Sequence, residues 1–162
     1  MTYSRLIGAL FLSAIIFYGL GNGLVTSVVR GPGFLSTISA HQTTLALGAV
    51  LMLLNSAVVL GLGILFFPIV EKHSKITALI YLVSRIVEAV LLAVGVLSLL
   101  MLVPLGQNAV EAGEANVAWA KAAASLLTQA NSTSYQIAMM SLGVGGVFLC
   151  SQLFRISLIP DG

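Results

Sequence analysis

Four stretches of this chain stay apolar far longer than a buried helix of a soluble domain requires. They run from Leu6 to Val29, Thr43 to Val70, Ile76 to Val103 and Tyr135 to Leu158. Each reaches the ~20 residues that an α-helix needs to cross a hydrocarbon core of ~30 Å. None alternates apolar and polar residues, and all are too long for the staves of a membrane barrel. In lipid the backbone must satisfy its own hydrogen bonds, so each stretch is expected to be a helix.

The rest of the composition leaves no other class open. Charged residues make up 7% of the 162, against ~25% in an average soluble domain. Seven basic and five acidic side chains cannot coat a soluble fold of this size, and the mean hydropathy is +1.09. The chain is therefore expected to be one all-α domain, an integral membrane bundle of about four transmembrane helices. The lipid bilayer is its main partner. A net charge of +2, scattered along the chain, gives no footprint for nucleic acid. The first stretch follows Arg5 as the core of a signal peptide follows its basic residues, but it is too long and no small-x-small cleavage site clearly follows, so a retained helix is expected.

Breaks between the stretches are of several kinds. Arg30-Gly-Pro-Gly interrupts the chain after the first helix. Glu71-Lys72-His73-Ser74-Lys75 is so short that helices two and three must form an antiparallel hairpin. Pro104 and Gly106 are expected to end helix three. Residues 111–133 are polar and alanine-rich, with Trp119 and Lys121; alanine favours helix and Trp the membrane boundary, which suggests a short interfacial helix or a loop. Asn131-Ser132-Thr133 also matches a glycosylation sequon, a pattern that arises easily by chance. With the N-terminus inside, Arg5, Lys72, Lys75 and Arg155 fall on the inner side, and Arg30 and Lys121 on the outer. The positive-inside rule then places both termini in the cytoplasm.

One constellation stands out. Arg85 and Glu88 lie deep in the third stretch, near mid-membrane at 1.5 Å of rise per residue. Tyr81, Ser84, Arg85 and Glu88 share one helical face by their i, i+3, i+4, i+7 spacing. A charge at that depth costs at least ~2.5 kcal/mol on insertion scales and normally faces the bundle interior. Folding the hairpin about His73 brings Asn55 to a similar depth, so Asn55 and Ser56 become candidates to hydrogen-bond the pair. Three uses follow, in descending order: a structural clamp, a contact with another subunit, and a ligand or proton site.

Other chemistry is poorly provided for. His41 and His73, the two histidines, belong at opposite ends of helix two, so no metal or haem site and no cofactor is expected. Asp161 is the one aspartate and lies at the far end of the chain, which rules out a Ser-His-Asp triad. Cys150 has no cysteine to pair with. Gly143, Gly145 and Gly146 lack the neighbouring lysine of a nucleotide loop. Met139 and Met140 read as packing. Gly19-x-x-x-Gly23 and Ser141-x-x-x-Gly145 are small-x-x-x-small patterns that permit close helix approach, within the chain or between copies.

The stretch from Thr44 to Leu100, above all Arg85-Ile-Val-Glu88-Ala-Val-Leu-Leu after the basic turn Lys72–Lys75, resembles the bacterial membrane proteins of domain-of-unknown-function family 4386. Leu153 to Pro160, with Arg155, is similar to a late helix end of that family. The resemblance implies a multi-helix protein of the bacterial cytoplasmic membrane and no particular activity. Members usually continue past the position of Pro160, so a shortened member or a fragment is expected. An accessory or scaffolding subunit of a membrane complex ranks first among functions. A small transporter or ligand-binding protein using Arg85, Glu88 and Asn55 ranks second, and an intramembrane enzyme using Glu88 third.

Overall fold

A computed structural model describes residues 3–30, 38, 40–111 and 117–155. The described residues form helices α1 (Tyr3–Val29), α2 (Gln42–Glu71), α3 (Lys75–Leu100), α4 (Leu102–Glu111) and α5 (Val117–Arg155). Four spans are long and apolar enough to cross a membrane, with α3 and most of α4 counted as one. The chain is an all-α bundle, and no strand occurs among the described residues.

Local chemistry explains the boundaries. The α2–α3 hairpin turns within the polar stretch expected for it. Ser74 caps α3, its hydroxyl accepting from the backbone N–H of Thr77 at 3.3 Å. Pro68 is tolerated in the last turns of α2. At the other end of α3 the expected stop at Pro104 and Gly106 is not what happens. The helix ends earlier, at Leu100, and α4 starts again at Leu102, so Pro104 falls in the first turn of α4. A proline costs little there, because the N–H it lacks would have no intrahelical partner.

The second departure concerns residues 111–133. From Val117 onward they are neither a loop nor a separate interfacial helix but the first half of one unbroken 39-residue helix that includes the fourth apolar stretch. No glycine or proline occurs between Val117 and Leu142, and the alanine-rich start has high helix propensity. Ala120 and Ala124 are fully buried in one cluster with Leu99 and Leu102, so tertiary packing holds the start of α5 against the bundle. At about 58 Å, α5 is too long to lie wholly within the hydrocarbon core. Exposed Trp119 and Lys121 occupy its first turns, as an interfacial position requires.

Packing runs in the order α1 on α2, α2 on α3, α3 on α5, while α1 and α5 form no extended interface. One apolar cluster, with Val25, Leu45, Met52 and Val96, fills the end of the bundle near α4. A second, with Val70, Ala78, Tyr81 and Leu149, fills the hairpin end. The outward faces carry Leu12, Ile76, Val83, Leu126 and Met140, all more than half exposed, a surface suited to lipid or another membrane helix and not to water. Exposed Cys150 lies on such a face.

Glycines set the closest approaches, and one expected pattern is displaced. Gly19 and Gly23 face open space, whereas Gly21 between them meets Gly48 of α2. A Cβ at either position would lie 2.8 Å from the other glycine's carbonyl oxygen. The Ser141–Gly145 pattern is used within the chain: Ser141 donates to the carbonyl of Ser84 at 3.1 Å, and Gly145 packs on the Ser84 side chain.

Candidate functional site

Between the two apolar clusters lies a buried polar layer, and α3 carries its centre. Arg85 Nη1 donates to Glu88 Oε2 at 2.8 Å, one helical turn away. Arg85 Nε donates to the hydroxyl of Tyr81 at 2.9 Å, and the guanidinium carbon stands 5.1 Å from the centre of the Tyr81 ring. Arg85 and Glu88 are 5% and 2% exposed, so both charges are withdrawn from the surface. Their contacts are local to one helix and follow from the spacing of the three residues.

Aromatic packing fixes Tyr81 from behind. Its ring meets Phe66 of α2 edge-on at 5.6 Å, and Phe66 in turn meets Phe11 of α1 at 6.3 Å. Such edge-to-face contacts are worth ~0.5–1.5 kcal/mol beyond the area they bury. The chain Phe11–Phe66–Tyr81–Arg85 thus ties the ion pair to three helices. Gly63 completes the support, since a Cβ there would lie 2.8 Å from Cβ of Arg85.

The pair does not use all its polar atoms. Two of the five guanidinium donors are engaged, and Glu88 accepts through Oε2 alone among the described residues. Among the described residues no fully buried side-chain nitrogen or oxygen lacks a partner, so the remaining atoms of the pair reach open volume. That volume is a cleft of about 300 Å³ between α1 and α5, walled by Ile15, Tyr18, Val59, Leu92, Tyr135 and Met139. Arg85, Glu88 and Asn55 line it as well, and with the phenols of Tyr18 and Tyr135 they are its polar residues.

The expected site residues therefore divide. Tyr81, Arg85 and Glu88 form one bonded unit. Asn55 is buried and lines the same cleft, at the depth expected, but makes no hydrogen bond to the pair. Ser56 turns its hydroxyl back to the carbonyl of Met52 in its own helix. Ser84 likewise donates to the carbonyl of Tyr81 and serves the α3–α5 contact, outside the cleft. The shared face is broad enough that Ser84 sits at its edge. His41 and His73 lie at the two ends of α2, and among the described residues no three His, Cys, Asp or Glu side chains converge on a metal position. Asn131 of the sequon is half-buried in α5 against Gly95, a poor place for a glycan.

Sequence reasoning overlooked Tyr18 and Tyr135. Their rings stack at 5.2 Å and 15°, bridging α1 and α5 at one edge of the cleft. The available signal was two phenols in otherwise apolar spans. Met139, read as packing, is a wall of the cleft.

Residues 6–162 match the family model described as "Domain of unknown function (DUF4386)". No curated protein and no solved structure matches the chain.

Proposed function

Because the chain belongs to the DUF4386 family, which carries no known activity with it, we propose a role from the site itself: an intramembrane binding protein. Its ligand is a small lipid-soluble molecule with an apolar body and one polar group that both donates and accepts hydrogen bonds. The observation that carries this reading is the set of unused polar atoms on Arg85 and Glu88 opening on an apolar cleft. A clamp with no further role would be best served by mutual saturation of those atoms, because an unpaired buried polar group costs ~1–3 kcal/mol. The cleft volume of about 300 Å³ is at the lower end of small-molecule sites, which supports a compact ligand. The opposite charges of the pair favour a group without net charge. Asn55 offers a third polar contact at the same depth.

A second reading, the accessory subunit, draws support from the missing interface between α1 and α5. Only 6% of the apolar window of α1 is buried, and a helix of another subunit could lie along it. We place the protein in the bacterial cytoplasmic membrane with both termini inside, on the balance of Arg5, Lys72, Lys75 and Arg155 against Arg30 and Lys121. No catalytic role is assigned to Glu88.

Native mass spectrometry after mild extraction from the membrane tests the two readings. The binding reading expects the chain alone, or as a homo-oligomer, with a small bound mass that is lost in Glu88→Gln. Recovery in fixed ratio with another protein, and no bound mass, would replace it with the subunit reading.

A further inference from the structure

The stacked tyrosines separate the ion-pair cleft from a second cavity of different chemistry, nearer the α4 end of the bundle. This upper chamber, about 400 Å³, is lined by Asn22, Thr26 and Arg30 on the α1 side and by Thr128, Asn131 and Ser132 of α5. Tyr18 and Tyr135 border both cavities. In the lower cleft the guanidinium of Arg85 is neutralised by Glu88. In the upper chamber Arg30 is the one charged side chain among the lining residues, and no carboxylate is among them. Thr128 already donates to backbone carbonyls of its own helix, at 3.0 and 2.9 Å, so it offers only a lone pair. The amides of Asn22 and Asn131 and the hydroxyls of Thr26 and Ser132 line the same cavity as the permanent charge of Arg30, which is itself exposed.

We infer that this upper chamber is a binding site for an anionic group of the phosphate or carboxylate type, held by Arg30 and the surrounding amides and hydroxyls. Guanidinium suits such oxyanions because its planar fork can give two parallel charge-assisted hydrogen bonds. The depth fits as well. Arg30 directly follows α1, whose 27 residues extend about 40 Å, enough to carry its end out of the hydrocarbon and into the headgroup layer. Basic pockets between membrane helices at that level recognise acidic lipid headgroups, and the same geometry would take a soluble oxyanion. An arginine after a helix end also offsets the helix dipole. That role alone gives no reason for two amides and two hydroxyls to gather around the same cavity. The site is independent of the ion-pair cleft: its ligand is charged, and its residues other than the two tyrosines lie outside that cleft.

The test is a titration of the detergent-purified full chain by native mass spectrometry with phosphatidylglycerol or phosphatidylcholine of equal chain length. Inorganic phosphate is titrated alone and as a competitor. If the source is a lipid headgroup, phosphatidylglycerol binds about tenfold or more tighter than phosphatidylcholine, and Arg30→Gln removes that preference. If the source is a soluble oxyanion, phosphate itself binds, Arg30→Gln weakens it by a similar factor, and the two lipids do not differ. Glu88→Gln and Lys121→Gln leave either result unchanged, the first because the cleft is separate and the second because Lys121 does not line the chamber. The inference is overturned if neither probe binds, if Arg30→Gln has no effect, or if Lys121→Gln costs as much and the attraction is merely that of surface charge.

Discussion

Arg85 and Glu88 allow the clamp and the binding site to be separated by one mutational cycle. Removing Glu88 alone, as Glu88→Leu, leaves a guanidinium that is 5% exposed with the Tyr81 hydroxyl as its remaining side-chain partner. Breaking a buried pair from one side costs ~3–5 kcal/mol. The 2.9 Å bond to Tyr81 and the ring beneath the guanidinium persist, so the lower end, about 3 kcal/mol, is expected. Arg85→Met strands the carboxylate, which loses its donor at 2.8 Å and has no ring to fall back on, and should cost at least as much. Replacing both leaves apolar side chains of similar volume in an apolar cleft, and such double replacements are often neutral. The double variant Arg85→Met/Glu88→Leu should therefore lie within about 1 kcal/mol of the parent, a non-additivity of about 5 kcal/mol given the two single costs. Survival of a brief protease pulse, across mixtures of mild detergent with rising SDS, measures these stabilities. The same double variant should have lost the small bound mass expected at the cleft. Singles within about 0.5 kcal/mol of the parent, or a double equal to their sum, would refute the coupled buried pair. A folded double that keeps its bound mass would show that the pair is not the ligand's contact.

Two further outcomes are expected. Gly21→Val or Gly48→Val should cost about 1–3 kcal/mol in the same assay, because the new side chain meets a carbonyl oxygen across the α1–α2 contact, whereas Gly19→Ala and Gly23→Ala should change little. Reporter fusions after His73 and after Glu114 should report opposite sides of the membrane, as the span between them requires; the same side for both would contradict the count of four spans.

Much of this protein can be read from single helices taken one at a time. The four apolar stretches, the hairpin turn at residues 71–75 and the bonding of Arg85 to Glu88 and Tyr81 all depend on rise and angle within one helix. The depth of Asn55 came from the same arithmetic, and its presence in the cleft agrees with it. What that arithmetic does not contain is rotation about each axis. In a soluble protein an apolar stripe reveals which way a helix faces. In lipid, the face toward a neighbouring helix and the face toward acyl chains are both apolar, and the stripe disappears. The tertiary structure alone therefore decided that Gly21 and not Gly19 or Gly23 meets α2, and that Ser84 serves α5 rather than the ion pair. It also decided that Tyr18 and Tyr135 stack across two chambers, and that Ala120 and Ala124 bind the start of α5 into one long helix. The sequence by itself determined the membrane, the number of crossings and the charged pair within α3. Only packing between helices, which hydrophobicity does not encode when the solvent is itself a hydrocarbon, determined what that pair opens onto.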